Sequence, residues 1–109
     1  MDTSYREDVK AMVDSLVLGM PGVKGGKAFG FPAYKINGKV FAFVVTHGVT
    51  IKLPETQVQA LADARAECSI FGPEEGILWK SWLLIDHADA ASFADDIELF
   101  EQSVQFVLG

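Results

Sequence analysis

The sequence predicts an α+β fold: a two-layer, five-stranded antiparallel sheet with helices on one side. Three observations carry it. The stretch Lys27 to Leu53 (KAFGFPAYKINGKVFAFVVTHGVTIKL) holds three short apolar runs separated by two-residue turns, the pattern of an antiparallel meander. Apolar residues spaced by three and four flank it on both sides, as amphipathic helices require. A last apolar run, Leu78 to Ile85, precedes a final helical pattern. The expected order is α-β-β-β-α-β-β-α, and helices on one side of a single sheet is its simplest packing.

Each element has a local reason. Tyr5, Val9, Met12, Val13, Leu16, Val17 and Met20 form one apolar stripe, which places a helix at about 5–18. Ser4 with Glu7 fits a capping box at its start, and Gly19 with Pro21 stops it. A glycine-rich connector follows, from Pro21 to Lys27. The first strand is expected at about 28–36, with Pro32 marking a sheet edge or bulge because it lacks an amide proton. Asn37-Gly38 is a strong hairpin signal, since both positions of a type I′ turn need positive φ. Strands at about 39–46 and 49–53 follow, joined by a turn at His47-Gly48. Pro54 opens a second helix that ends near Glu67, with Val58, Leu61 and Ala62 buried. A short strand at about 69–71, a loop through Gly72-Pro73-Glu74-Glu75-Gly76 and a central strand to Ile85 come next. Ser92 with Asp95 marks the start of the last helix, whose apolar stripe is Phe93, Ile97, Phe100, Val104, Val107 and Leu108. Leu99 and Phe106 lie off that stripe.

Alternation along the meander divides its side chains. One face carries Val40, Ala42, Val44, Val49, Ile51 and Leu53. The other carries Tyr34, Ile36, Phe41, Phe43, Val45, Thr50 and Lys52. The third strand is apolar only on the first face, so that face is expected to be the core. The second is too aromatic to be idle surface.

Composition bounds the function. At 109 residues the chain is long enough for one domain and too short for two. Half the residues are apolar and 22% are charged, as in an ordinary globular domain. Cys68 is the single cysteine, so no internal disulfide can form and a reducing, cytoplasmic location is expected. No segment has the length of apolar sequence that spans a membrane, and Met1 to Lys10 lacks a leader-like apolar core. The net charge of −6 is uneven: residues 1–53 carry +3 and residues 54–109 carry −9. The acidic total disfavours non-specific nucleic-acid binding, and the basic half keeps such binding in view.

Several words in the chain resemble the TfoX N-terminal domain family and the related MmcQ/YjbR-like proteins. They are Lys27-Ala28-Phe29-Gly30-Phe31-Pro32-Ala33-Tyr34, Asn37-Gly38-Lys39-Val40-Phe41-Ala42, Ile51-Lys52-Leu53-Pro54 and Trp79-Lys80-Ser81-Trp82-Leu83-Leu84-Ile85. Ala28 stands where that family usually has Met before Phe-Gly, and Trp79-Lys80 where it has Met-Lys. The resemblance covers nearly the whole chain and implies an α+β fold of the secretion-chaperone-like kind. It implies no chemistry, because the matching words are turns and core strands. The competence regulators of that family carry a further C-terminal domain, so a competence role is not expected here.

No catalytic, metal or cofactor motif is present. Gly22 to Lys27 fails as a phosphate-binding P-loop, since Pro21 replaces its first glycine, Ala28 its Ser/Thr, and it follows a helix. His47 reads as a solvated turn residue. His87 with Asp86 and Asp89 fits no standard metal spacing and reads as a turn into a helix. Cys68 reads as buried and inert, and the acidic cluster Asp95, Asp96, Glu98 and Glu101 as a solvated helix face. The leading expectation is a non-enzymatic interaction or regulatory module, a homodimer or a binder of another protein. Its candidate interface is Tyr34, Phe41, Phe43, Leu99 and Phe106. The alternative is a nucleic-acid-binding protein that uses Lys24, Lys27, Lys35 and Lys39, with aromatics stacking on bases.

Overall fold

The computed structural model describes residues 3–109 and shows an α+β fold with an antiparallel sheet. Helix α1 spans Glu7–Val17. Strands β1 (Val23–Ala28), β2 (Phe31–Ile36), β3 (Lys39–Val45) and β4 (Gly48–Lys52) form the meander. Helix α2 (Glu55–Ala64), strands β5 (Cys68–Glu74) and β6 (Ile77–Ile85), a 3-10 helix over Ala90–Asp96 and helix α3 (Ile97–Leu108) complete it. The sheet has six strands in the order β1-β2-β3-β4-β6-β5. No helix among the described residues is long and apolar enough to cross a membrane.

The sixth strand corrects the expectation of five. The glycine-rich segment is not a connector but edge strand β1, paired with β2 from Val23↔Ile36 to Ala28↔Phe31. Its hairpin turn is Phe29-Gly30, with φ of 57° and 84°, the two positive values a type I′ turn requires. Phenylalanine rarely adopts that conformation, so its glycine partner was the visible half of the signal. Pro32 sits inside the sheet, but β2 begins to pair with β3 only at Ala33. Its missing amide therefore interrupts no ladder.

The ends of the elements also differ from the sequence reading. Arg6, not Ser4, is the N-cap residue of α1, and its side chain makes no capping hydrogen bond. Glu7 and Asp8 in its first turn suit the positive end of the helix dipole. Pro54 precedes α2 and accepts the Val58 amide at 3.0 Å. Ser92 does not start the last helix. Asp89 does the capping, its carboxylate accepting the Ala91 amide at 3.1 Å, and a 3-10 segment leads into α3. The β3–β4 turn is Thr46-His47, because Val45 pairs with Gly48. Gly48 is required for proximity rather than for the turn. A Cβ there would lie 2.1 Å from the Ile85 carbonyl oxygen of β6.

A bulge in β3 decides which side chains meet the helices. Tyr34 pairs with Ala42 but Lys35 pairs with Val40, so Phe41 is an extra residue. One extra residue reverses the alternation. Tyr34, Ile36 and Phe41 consequently join Ala42, Val44, Val49 and Ile51 in the core beneath the helices. Val40 moves to the other face. The expected split was right for Ala42, Val44, Val49, Ile51, Leu53, Phe43 and Val45, and reversed for Tyr34, Ile36, Phe41 and Val40. The helices contribute Val9, Val13, Val17, Val58, Phe93, Phe100 and Val104 to this core alone. Burying a side chain of this size contributes roughly 1.5–3 kcal/mol.

The bulge leaves the Phe41 carbonyl without a regular ladder partner. Ser103 on α3, fully buried, donates to it at 3.0 Å. Ser103→Ala removes that donor and leaves a buried carbonyl unpaired, at a cost of about 1–3 kcal/mol. Chemical denaturation will show the loss, whereas exposed Ser15→Ala will change stability by less than about 0.5 kcal/mol. Equal midpoints for the two variants would refute this role for Ser103.

Candidate functional site

The sheet face away from the helices is lined by strands alone. Phe31, Ala33, Phe43, Val45 and Phe71 are buried there, with Val40, Trp79, Trp82 and Leu84 partly buried around them. Six aromatic rings form one cluster. Phe43 lies at its centre, with ring centroids of Phe29, Phe31, Phe71 and Trp82 at 5.2, 6.2, 5.6 and 5.1 Å. Phe29 also meets Trp79 at 5.0 Å, and Trp79 meets Phe71 at 5.6 Å. Tilted and edge-on pairs of this kind add roughly 0.5–1.5 kcal/mol each to simple burial.

Phe29 is in the β1–β2 turn while Trp79 is on β6, across the sheet. Their contact shows that the sheet curls until its two flanks meet. The curl explains how a face without helices holds a fully buried Phe43. What stays exposed on the rim of that closure is Phe29 at 51% and Ile77 at 45%. At one end of the same face lies a cleft of about 280 Å³, bordered by Phe31, Val45, His47, Phe71 and Leu84. His47 stands exposed at its mouth, in the turn.

The candidate interface residues are therefore dispersed. Tyr34 and Phe41 are core positions under the helices, and Leu99 is packed against the same core. Phe43 is buried under the other rings, and Phe106 is exposed on α3. The four lysines do not converge on one groove either. Lys24 and Lys35 are cross-strand partners, placed by alternation on the curled face. Lys27 pairs with Pro32 and Lys39 with Ile36, which puts both toward the helix side. Lys52, on the second face as alternation predicts, lies with its ammonium 5.6 Å from the Trp82 ring centre.

A second cluster joins the chain ends. Asp96 is 5% exposed; its carboxylate accepts Arg65 Nη1 at 2.9 Å and lies 2.7 Å from His87 Nε2. Arg65 Nε also donates to Glu67 at 2.6 Å. Arg6 donates to the carbonyls of His87 and Ala88 at 3.0 and 2.9 Å. Asp96 is thus a buried anchor, not part of a solvated acidic face. Arg65 was the available signal, as the one arginine in the acidic half of the chain. His87 turns to Asp96 rather than to Asp86 or Asp89, and no group of three metal-ligating residues exists among the described residues. Under the helices, Tyr34 Oη donates to Asp14 at 2.5 Å, and Lys10 Nζ reaches the other carboxylate oxygen at 2.8 Å. Burial first, then Asp14, pushes the Tyr34 hydroxyl well above its ordinary range.

No protein-family model, curated protein or solved structure matches this chain.

Two predictions follow from buried polar groups. Burial pushes the Cys68 thiol up to about 11 from 9.0, with Arg65 opposing and Glu67 and Asp96 adding to the rise. The unfolded thiol therefore ionises first. Its contribution, about 3 kcal/mol, is intact below pH 9 and is lost as pH rises toward 11. Denaturation midpoints against pH will fall through that window, less steeply in Cys68→Ala. Thr50 is fully buried between its neighbours Phe43 and Leu84, and its hydroxyl has no hydrogen-bond partner. Thr50→Val keeps the shape and removes the orphan, so thermal unfolding will show a variant equal to the parent or up to about 1–3 kcal/mol more stable. A marked loss would show that the hydroxyl is satisfied in solution.

Proposed function

We propose that this chain is a small cytoplasmic, non-enzymatic interaction module that self-associates through the apolar rim of its curled sheet. One observation carries the reading. Phe29 is half exposed although its backbone is held in the left-handed region, at φ 57°. A non-glycine residue in that region costs of order 1–2 kcal/mol. Glycine or asparagine would fill the turn without that cost, so the ring itself is what the position retains. Phe29 packs edge-on against Trp79, and alternation along β6 puts the exposed Ile77 on the same face as Trp79. None of the three is charged, so two copies can meet about a two-fold axis without opposing charges.

The resemblance to TfoX N-terminal and MmcQ/YjbR-like domains belongs to the same proposal. It is supported by the strands placed between two helices and by the helix that ends the chain. The fully buried positions of Tyr34, Phe41 and Phe43 move the contact from the middle of the aromatic face to its rim.

The wild-type chain will sediment as a dimer at high concentration. Phe29→Asn suits the turn and removes the ring, and Ile77→Ser removes the exposed side chain on the same face as Trp79. Together they will yield a folded monomer with near-parental thermal stability. Phe43→Asp buries a charge instead and will unfold the chain. A wild type that stays monomeric at high concentration would contradict the proposal.

A further inference from the structure

The two edges of the sheet are finished differently. β5 contains Pro73, and its pairing with β6 shifts register twice. Bulges and proline close an edge to further strands. β1 is regular: its six residues pair with β2 in one unbroken register, and Lys24, Gly25, Gly26 and Lys27 are all exposed. The two-residue turn sets which backbone groups point outward. Ala28 and Phe31 flank that turn as a hydrogen-bonded pair, so alternation turns the amides and carbonyls of Lys27 and Gly25 away from β2. The Val23 amide, next in the outward row, bonds the Met20 carbonyl at 3.2 Å. The outward backbone groups of Gly25 and Lys27 have no backbone partner among the described residues, and the two faces of the strand's middle are open as well. A Cβ at Gly25 would meet only Leu18, at 3.6 Å, and one at Gly26 only Lys35, at 3.9 Å.

Charge selects what suits this edge. From Ser15 to Pro54 the chain has five lysines (24, 27, 35, 39 and 52) and no carboxylate side chain. None of the five forms an ion pair among the described residues, while Arg6, Lys10 and Arg65 all do. Three of the five, Lys24, Lys27 and Lys35, lie on or beside β1. A second β1 would add its own lysines to this cationic edge. A nucleic-acid strand would find Phe43, the centre of the aromatic cluster, covered, and would leave the outward backbone groups of β1 unused. Carboxylates in an extended segment meet both features, the open backbone and the unpaired ammonium groups.

We propose that β1 is a docking edge for an extended acidic segment of a partner protein, which adds as a further strand along Lys24 to Lys27. This rests on the reading of the chain as an interaction module and not on dimerisation through the rim.

The probe is a synthetic Glu-Val peptide of Glu-Glu-Val-Val repeats, whose carboxylates lie on both faces of the strand as Lys24 and Lys27 do, added to the full chain, with the corresponding Lys-Val peptide and an oligo-dT strand for comparison. The Glu-Val peptide will bind, more weakly as salt rises. Amide exchange followed by NMR will slow at Gly25 and Lys27 by about tenfold or more, and will not change at Gly26, which already faces β2. The double variant Lys24→Glu, Lys27→Glu will lose the Glu-Val peptide and gain the Lys-Val one. Absence of binding would overturn the proposal, as would binding without slowed exchange at Gly25 and Lys27. Tighter binding of oligo-dT would assign the lysines to nucleic acid instead. Protection of those amides in concentrated protein alone would assign the edge to a second copy. Rim association is read by mass and edge docking by exchange, so either can fail while the other stands.

Discussion

The extra residue at Phe41 is the constraint on which the rest of the structure depends. A strand of strict alternation would place Phe41 beside Phe43 on one face. The bulge turns Phe41 and Ala42 to the helix side in succession. It therefore divides the meander's aromatics between two cores. It also exposes a backbone carbonyl that needs a donor, and Ser103 supplies it from α3. One hydrogen bond thus fixes the last helix over the strand whose irregularity defines both faces. Bulges strengthen the local right-handed twist. A more twisted sheet curls, and here the curl brings the β1–β2 turn to β6.

Curling resolves a difficulty of two-layer folds. Helices cover one face of such a sheet and leave the other to water. This chain covers the second face with its own flanks, so the aromatic residues there form a small second core. The cover is incomplete at Phe29 and Ile77, and the proposed association surface is that remainder. Charge follows the same layering. The acidic residues of the second half lie mostly on helices and the turns around them, whereas the five lysines of residues 15–54 lie on or next to the meander. These lysines form no ion pair among the described residues, while Arg6 ties the start of α1 to the His87 carbonyl and Arg65 ties the end of α2 to Asp96.

What could be read from the sequence was what local chemistry writes locally. Asn37-Gly38 announced its hairpin, Pro54 its helix, and the spacing of Val9, Val13 and Val17 the buried face of α1. The rest depended on partners distant in sequence. β1 was missed because glycines weaken a strand signal and because Phe29 conceals a turn that its φ reveals. The bulge was invisible because nothing in Val40-Phe41-Ala42 states that Ser103 waits 62 positions away. The burial of Asp96 depends on Arg65 and His87 on either side of it, and Arg65 is 31 positions away in the sequence. The candidate interface suffered most. It was drawn from alternation across a strand whose alternation is broken, so two of its aromatics moved to the core.

Aromatic nuclear Overhauser contacts measured on dilute, monomeric protein test the central claim most directly. That claim is that the chain's own curl, and not a second copy, covers the aromatic face. Contacts from Phe29 to Trp79 and from Phe43 to Trp82 will then be present at the lowest concentration and will not grow as the protein is concentrated. Contacts that are absent on dilution and emerge only with association would show that the face is open in the monomer and closed by a partner.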